Sequence, residues 1–116
     1  MKKVSLLAGI ISMLVTHISL SVPFNNDLHV DISVVGDKQE WTNIRAGQQR
    51  VDVNIKNTTF YAHIGNKQFR FAPSNTKTTI QDIGQITFHG SDTSPHVIYT
   101  GKPGSPYYDD VKSILQ

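Results

Sequence analysis

Residues 50–72, RVDVNIKNTTFYAHIGNKQFRFA, constrain the fold more than any other stretch of this chain. Val51, Val53 and Ile55 alternate with Asp52, Asn54 and Lys56, the period-two pattern of a strand with one face buried and one wet. Asn57-Thr58-Thr59 turns the chain, and the alternation resumes. Folding Phe60–Ile64 back on Lys67–Phe71 through Gly65-Asn66 sets Phe60 opposite Phe71 and Ala62 opposite Phe69 on one side. The other side then carries Tyr61 opposite Arg70 and His63 opposite Gln68. Glycine in the first loop position suits a type II′ turn, whose twist matches that of paired strands.

The flanking chain reads in the same way. Residues 22–26 form an irregular lead-in. Residues 28–35 alternate Leu28, Val30, Ile32 and Val34 with His29, Asp31 and Ser33, which predicts a strand. Gly36-Asp37 turns the chain. Residues 39–47, which hold the single tryptophan, Trp41, show no clear period and read as a loop or a short irregular strand. Pro73 ends the hairpin, because proline cannot donate to a ladder. Thr76 to Gln81 is rich in β-branched residues and reads as a strand, interrupted at Ile83-Gly84 by a bulge or a turn. Residues 85–89 and 96–100 read as two further strands around the loop Gly90 to Pro95.

After Gly101 the period changes. Ser105 can cap a helix, Pro106 fits its first turn, and Asp109 and Asp110 suit the positive end of its dipole. Tyr107, Val111 and Ile114 then form an i, i+4, i+7 stripe. About six to seven short strands with turns between them predict an all-β fold. The expected form is a small β-sandwich or barrel of antiparallel strands with a short C-terminal helix.

The N-terminus predicts export. Lys2 and Lys3 precede a nearly continuous apolar run over residues 4–18, and Ser19-Leu20-Ser21 puts small residues where a signal peptidase reads. A signal peptide over residues 1–21 and a single domain over 22–116 are expected. The apolar run is shorter than the roughly 20 residues a spanning helix needs and contains His17, which argues against an anchor. The leader is of the bacterial kind and predicts a secreted or periplasmic protein. Without Lys2 and Lys3, the 11 basic and 9 acidic residues become nine and nine. The neutral balance, with no basic cluster among aromatics, points away from nucleic acid. No cysteine is present, so packing, hydrogen bonds or self-association into a homo-oligomer must hold a domain of this size.

Two constellations stand out. His89, Asp92 and His96 bracket one loop, and two imidazoles with a carboxylate are a zinc-ligand set. No tight motif such as H-E-x-x-H accompanies them, so the sequence assigns an ordinary loop and no metal. Ser91 or Ser94 beside the same groups lacks the G-x-S-x-G elbow of a hydrolase. Asp109 and Asp110, adjacent on a helix, would point about 100° apart and form no facing acid–base pair. No catalytic residue and no cofactor is predicted, and the chain reads as a non-enzymatic protein. The wet face of the hairpin is the better candidate. Tyr61, His63, Gln68 and Arg70 combine an aromatic ring with a guanidinium fork and could hold a glycan, a membrane surface or another exported protein. Trp41 is a candidate anchor beside them, or a plug in the core.

Three short segments occur in the order seen in one toxin family: Ser21-Val22-Pro23-Phe24, then Val30-Asp31-Ile32-Ser33-Val34 leading to Trp41-Thr42-Asn43, then Val53-Asn54-Ile55. With ITFHGSD at residues 86–92, they make the chain resemble the thermostable direct haemolysin family of secreted bacterial toxins. That resemblance implies a β-sandwich that oligomerises and damages host membranes without enzymatic chemistry. Members of that family are longer and carry a disulfide near the C-terminus, which this chain lacks. TTFYAHIGNKQF, residues 58–69, also resembles a hairpin of the receptor-binding B subunits of Shiga-type toxins. This second resemblance implies an OB-fold and a glycan receptor. The alternative for both is a periplasmic inhibitor or accessory protein.

Overall fold

The computed structural model describes residues 19–36 and 40–116; most of the expected leader lies outside them. Ten strands occur among the described residues: β1 (Leu20–Asn26), β2 (Ile32–Val35), β3 (Trp41–Ile44), β4 (Val51–Ile55), β5 (Phe60–Ile64), β6 (Lys67–Phe71), β7 (Ile83–Gly90), β8 (Pro95–Gly101), β9 (Tyr108–Lys112) and β10 (Ile114–Leu115). They form two five-stranded sheets, ordered β4-β1-β7-β8-β9 and β10-β6-β5-β2-β3. The all-β expectation holds. The strands outnumber the six or seven expected, because the lead-in, the Trp41 segment and the C-terminus all pair.

The β5–β6 hairpin has the predicted register: Phe60↔Phe71, Tyr61↔Arg70, Ala62↔Phe69 and His63↔Gln68. Gly65 has a φ of 65° while Asn66 keeps a negative φ. One positive φ, at the first loop position, separates a type II′ turn from type I′, which needs two.

Both sheets contribute to one core. Phe24, Phe88 and Tyr99 come from the first sheet, and Phe60 and Phe71 from the second. Phe24 meets Phe60 edge-on at 5.3 Å, and Phe71 meets Phe88 edge-on at 5.2 Å. Edge-to-face geometry sets the positive rim of one ring against the negative face of another, adding about 0.5–1.5 kcal/mol per pair beyond burial.

Four segments need correction. The lead-in is strand β1, with Val22 and Phe24 fully buried. It pairs antiparallel with β4 from Leu20 onward, but parallel with β7 only from Phe24. Pro23, just before that point, has no N–H to give a ladder. This pair also makes the fold not wholly antiparallel. The expected strand over residues 28–35 starts only at Ile32, because the buried Asn26 side chain accepts the Leu28 N–H and holds a loop. Thr76 to Gln81 is a turn leading to a short 3-10 segment, Ile80–Asp82. There the Asp82 carboxylate accepts the N–H and hydroxyl of Thr79, a side-chain alternative to strand pairing.

The fourth correction is the C-terminal helix. Residues 108–112 are β9, which pairs with β8 through Val97↔Val111 and Ile98↔Asp110, and β10 then pairs with β6 in the other sheet. An isolated helix this short is marginal in water. The open β8 edge offers five register pairs and a buried place for Val111. In a strand, Asp109 and Asp110 point to opposite faces.

Candidate functional site

The second sheet brings all five predicted binding residues to one face. Antiparallel register places Trp41 opposite Val35, Val35 opposite Tyr61, Tyr61 opposite Arg70, and Arg70 opposite Ile114. The next row runs Asn43, Ser33, His63 and Gln68. Alternation explains the arrangement, since the intervening Val34, Ala62 and Phe69 are buried.

Trp41 is 51% exposed and Tyr61 37%, so the tryptophan is on the surface and not in the core. The indole packs on the His63 ring at a centroid distance of 4.3 Å and 49°. His63 Nε2 in turn lies 2.8 Å from Gln68 Oε1, a hydrogen bond that makes the imidazole the donor. This chain of contacts links β3 to β5 and β6 over the intervening β2. Tyr61 stands between two open grooves. One, of about 480 Å³, is lined by Trp41, Val35, Thr59 and Gln68. The other, of about 740 Å³, is lined by Lys56, Asn57 and a set of threonines that includes Thr58, Thr76 and Thr78.

The first sheet carries a separate cluster on its own outward face. His89 and His96 sit opposite one another on β7 and β8. Asp110 of β9 reaches both: its Oδ1 lies 3.0 Å from His89 Nε2 and 3.4 Å from His96 Nδ1. Burial alone would raise the Asp110 carboxyl, but the hydrogen bonds and charges of His89 and then His96 outweigh it and hold it below the usual carboxylate range. Reading the loop between the histidines as a unit singled out Asp92 instead. Asp92 is exposed in the turn that follows β7, and Ser91 Oγ accepts the Ser94 N–H within that turn. The missed residue, Asp110, is far in sequence. Only the two-residue offset of strand pairing could have found it, and the helical reading of its segment hid that offset.

Asp109 faces the other way. Its carboxylate accepts the Ser74 N–H at 2.7 Å, the Ser74 hydroxyl at 2.8 Å and the Tyr107 hydroxyl at 3.3 Å. It pins the chain after β6 to β9. Burial raises the Tyr107 hydroxyl despite its hydrogen bond to Thr78, and the adjacent Asp109 adds to the rise.

The sequence matches no family model and no curated protein, and the fold matches no solved structure.

Proposed function

We infer that this chain is an exported bacterial binding protein, secreted or periplasmic, whose two sheets form a β-sandwich and which performs no chemistry of its own. The outward face of the second sheet is its docking surface, and a surface glycan is the ligand class that fits it best. The observation that carries this reading is the pair of exposed rings, Trp41 and Tyr61, held on one sheet face among His63, Gln68 and Arg70. Flat aromatic faces accept the apolar C–H side of a sugar ring, and amide and guanidinium donors read its hydroxyls. The threonine-rich groove beside Tyr61 supplies further hydroxyl partners.

A membrane-directed reading stands second. It rests on the segments that resemble the thermostable direct haemolysin family, and it makes the same face a contact for host membranes, with self-assembly into a homo-oligomer. One pair of measurements separates the two. The purified protein is screened against immobilised glycans and against dye-loaded phosphatidylcholine vesicles. Glycan binding that disappears in Trp41→Ala and Tyr61→Ala supports the first reading. Dye release by a self-assembled form supports the second. Neither signal, with co-purification of one exported protein, would replace both by an inhibitor or accessory role.

A further inference from the structure

We propose that His89, His96 and Asp110 form a zinc-binding site on the outward face of the first sheet. One ligand atom from each of His89, His96 and Asp110 lies within 4.8 Å of the other two. Two ligands held about 2.0–2.1 Å from a tetrahedral zinc ion stand about 3.4 Å apart. Of the two nitrogen–oxygen separations here, 3.4 Å already matches that spacing and 3.0 Å falls slightly short of it. A zinc ion would replace the two hydrogen bonds that Asp110 shares with the histidines. The imidazoles turn their lone pairs toward it, each keeping its proton on the other ring nitrogen.

The donor set selects the metal class. Two imidazoles and one carboxylate suit zinc and its first-row neighbours, whereas magnesium and calcium take oxygen ligands. Three protein ligands leave the fourth tetrahedral position to water. The side chains are 33%, 26% and 36% exposed, so an ion reaches them from solvent. The site is also stiff, because each ligand stands on a different, neighbouring strand of one ladder. Lys112 lies opposite His96 and opposes a cation. The ionised Asp110 carboxylate offsets it. This site is on the other sheet from the Trp41–Tyr61 face, so its test is independent of the proposed docking function.

The experiment is zinc titration of the purified protein by calorimetry, with metal analysis after dialysis. One zinc per chain is expected, with no heat from magnesium. His89→Ala and His96→Ala should each weaken binding by more than about tenfold, and Asp110→Asn should weaken it too. Asp92→Ala should bind like the native protein. Far-UV circular dichroism checks that each variant is folded. Cobalt titration of the native protein needs no variant, and the strong visible absorption of a tetrahedral centre is expected. Absence of stoichiometric zinc, weak octahedral cobalt absorption, or equal zinc affinity in a folded His89→Ala, His96→Ala double variant would each overturn the site.

Discussion

The side-chain amide of Asn26, at the end of β1, donates to the carbonyl oxygen of Ile44, at the end of β3, at 3.0 Å, and so ties one sheet to the other. The same nitrogen reaches the carbonyls of Val30 at 2.9 Å and Arg45 at 3.1 Å, while Oδ1 accepts the Leu28 N–H. Asn26 is fully buried. Two N–H groups shared among three carbonyls close a loop that has no ladder of its own. Asn26→Ala would strand two buried backbone groups, the Ile44 carbonyl and the Leu28 N–H, each costing about 1–3 kcal/mol, and would release the partly buried carbonyls of Val30 and Arg45. A loss of roughly 3 kcal/mol or more is expected in urea unfolding. Asn26→Asp should be no milder, because a carboxylate cannot donate to the carbonyls it would face. A loss below about 1 kcal/mol in either variant would refute this account.

Tyr99 makes a second link. Its ring is buried in the core, and its hydroxyl donates to the Thr58 carbonyl at 2.7 Å. Burial, and then the charges of Tyr107 and Asp109, push that hydroxyl's pKa far up, so it stays a donor throughout the working range. Tyr99→Phe keeps the ring and removes the donor. The expected cost is about 1–2 kcal/mol, read from the denaturation midpoint at unchanged slope.

The docking face should separate binding from stability. Trp41→Ala and the double variant Tyr61→Ala, Arg70→Ala change half-exposed or exposed side chains. Stability should stay within roughly 0.5 kcal/mol of the native protein for the pair on β5 and β6. Binding to the glycan or vesicle that the native protein recognises should be lost. A folded variant that binds normally would move the docking site elsewhere.

Acid should weaken the fold partly through Asp110. Its folded pKa lies below the ordinary value, so the unfolded chain binds more protons and stability rises with pH across that interval. The contribution is complete above the unfolded value of about 3.9 and is lost as pH falls through the lower folded value. His89 and His96 contact the carboxylate, and Lys112 stands opposite His96. Asp82, held low first by the Thr79 backbone and then by the Thr79 hydroxyl, acts with the same sign. Denaturant midpoints measured from neutral pH down to about pH 3 should therefore fall less steeply in Asp110→Asn. An unchanged slope would mean that the pair with the histidines is too well solvated to matter.

One substitution tests the bulge at Gly84. The β7–β8 register shifts between Ile83 and Gln85, and a Cβ at position 84 would stand 2.6 Å from the Gly101 carbonyl oxygen. Since that neighbour is backbone, Gly84→Ala must displace a strand. A loss of about 1–3 kcal/mol is expected, whereas Gly65→Ala meets no atom and should lose stability only through its positive φ.

The β5–β6 hairpin, its register and its turn are legible in residues 60–71 alone, because every interaction involved is between residues close in the chain. The two-residue period then decided which side chains face water, so Tyr61, His63, Gln68 and Arg70 were legible as one patch. It also made Ile83-Gly84 readable as an interruption. The remaining elements depend on partners far away in the chain. Residues 105–115 carry a stripe that fits a helix, but the unpaired β8 edge and the buried place for Val111 outweigh that local preference. Residues 22–26 look irregular because proline and two asparagines interrupt them. They become β1 because β4 and β7 supply partners on both sides. Trp41 meets His63 only because β2 lies between β3 and β5. Asp110 likewise meets His89, 21 residues away, only across the β7–β8–β9 ladder. Local patterning states which face a residue prefers. Which other residues share that face depends on strand order, and strand order is set by burying both sheets' apolar faces together.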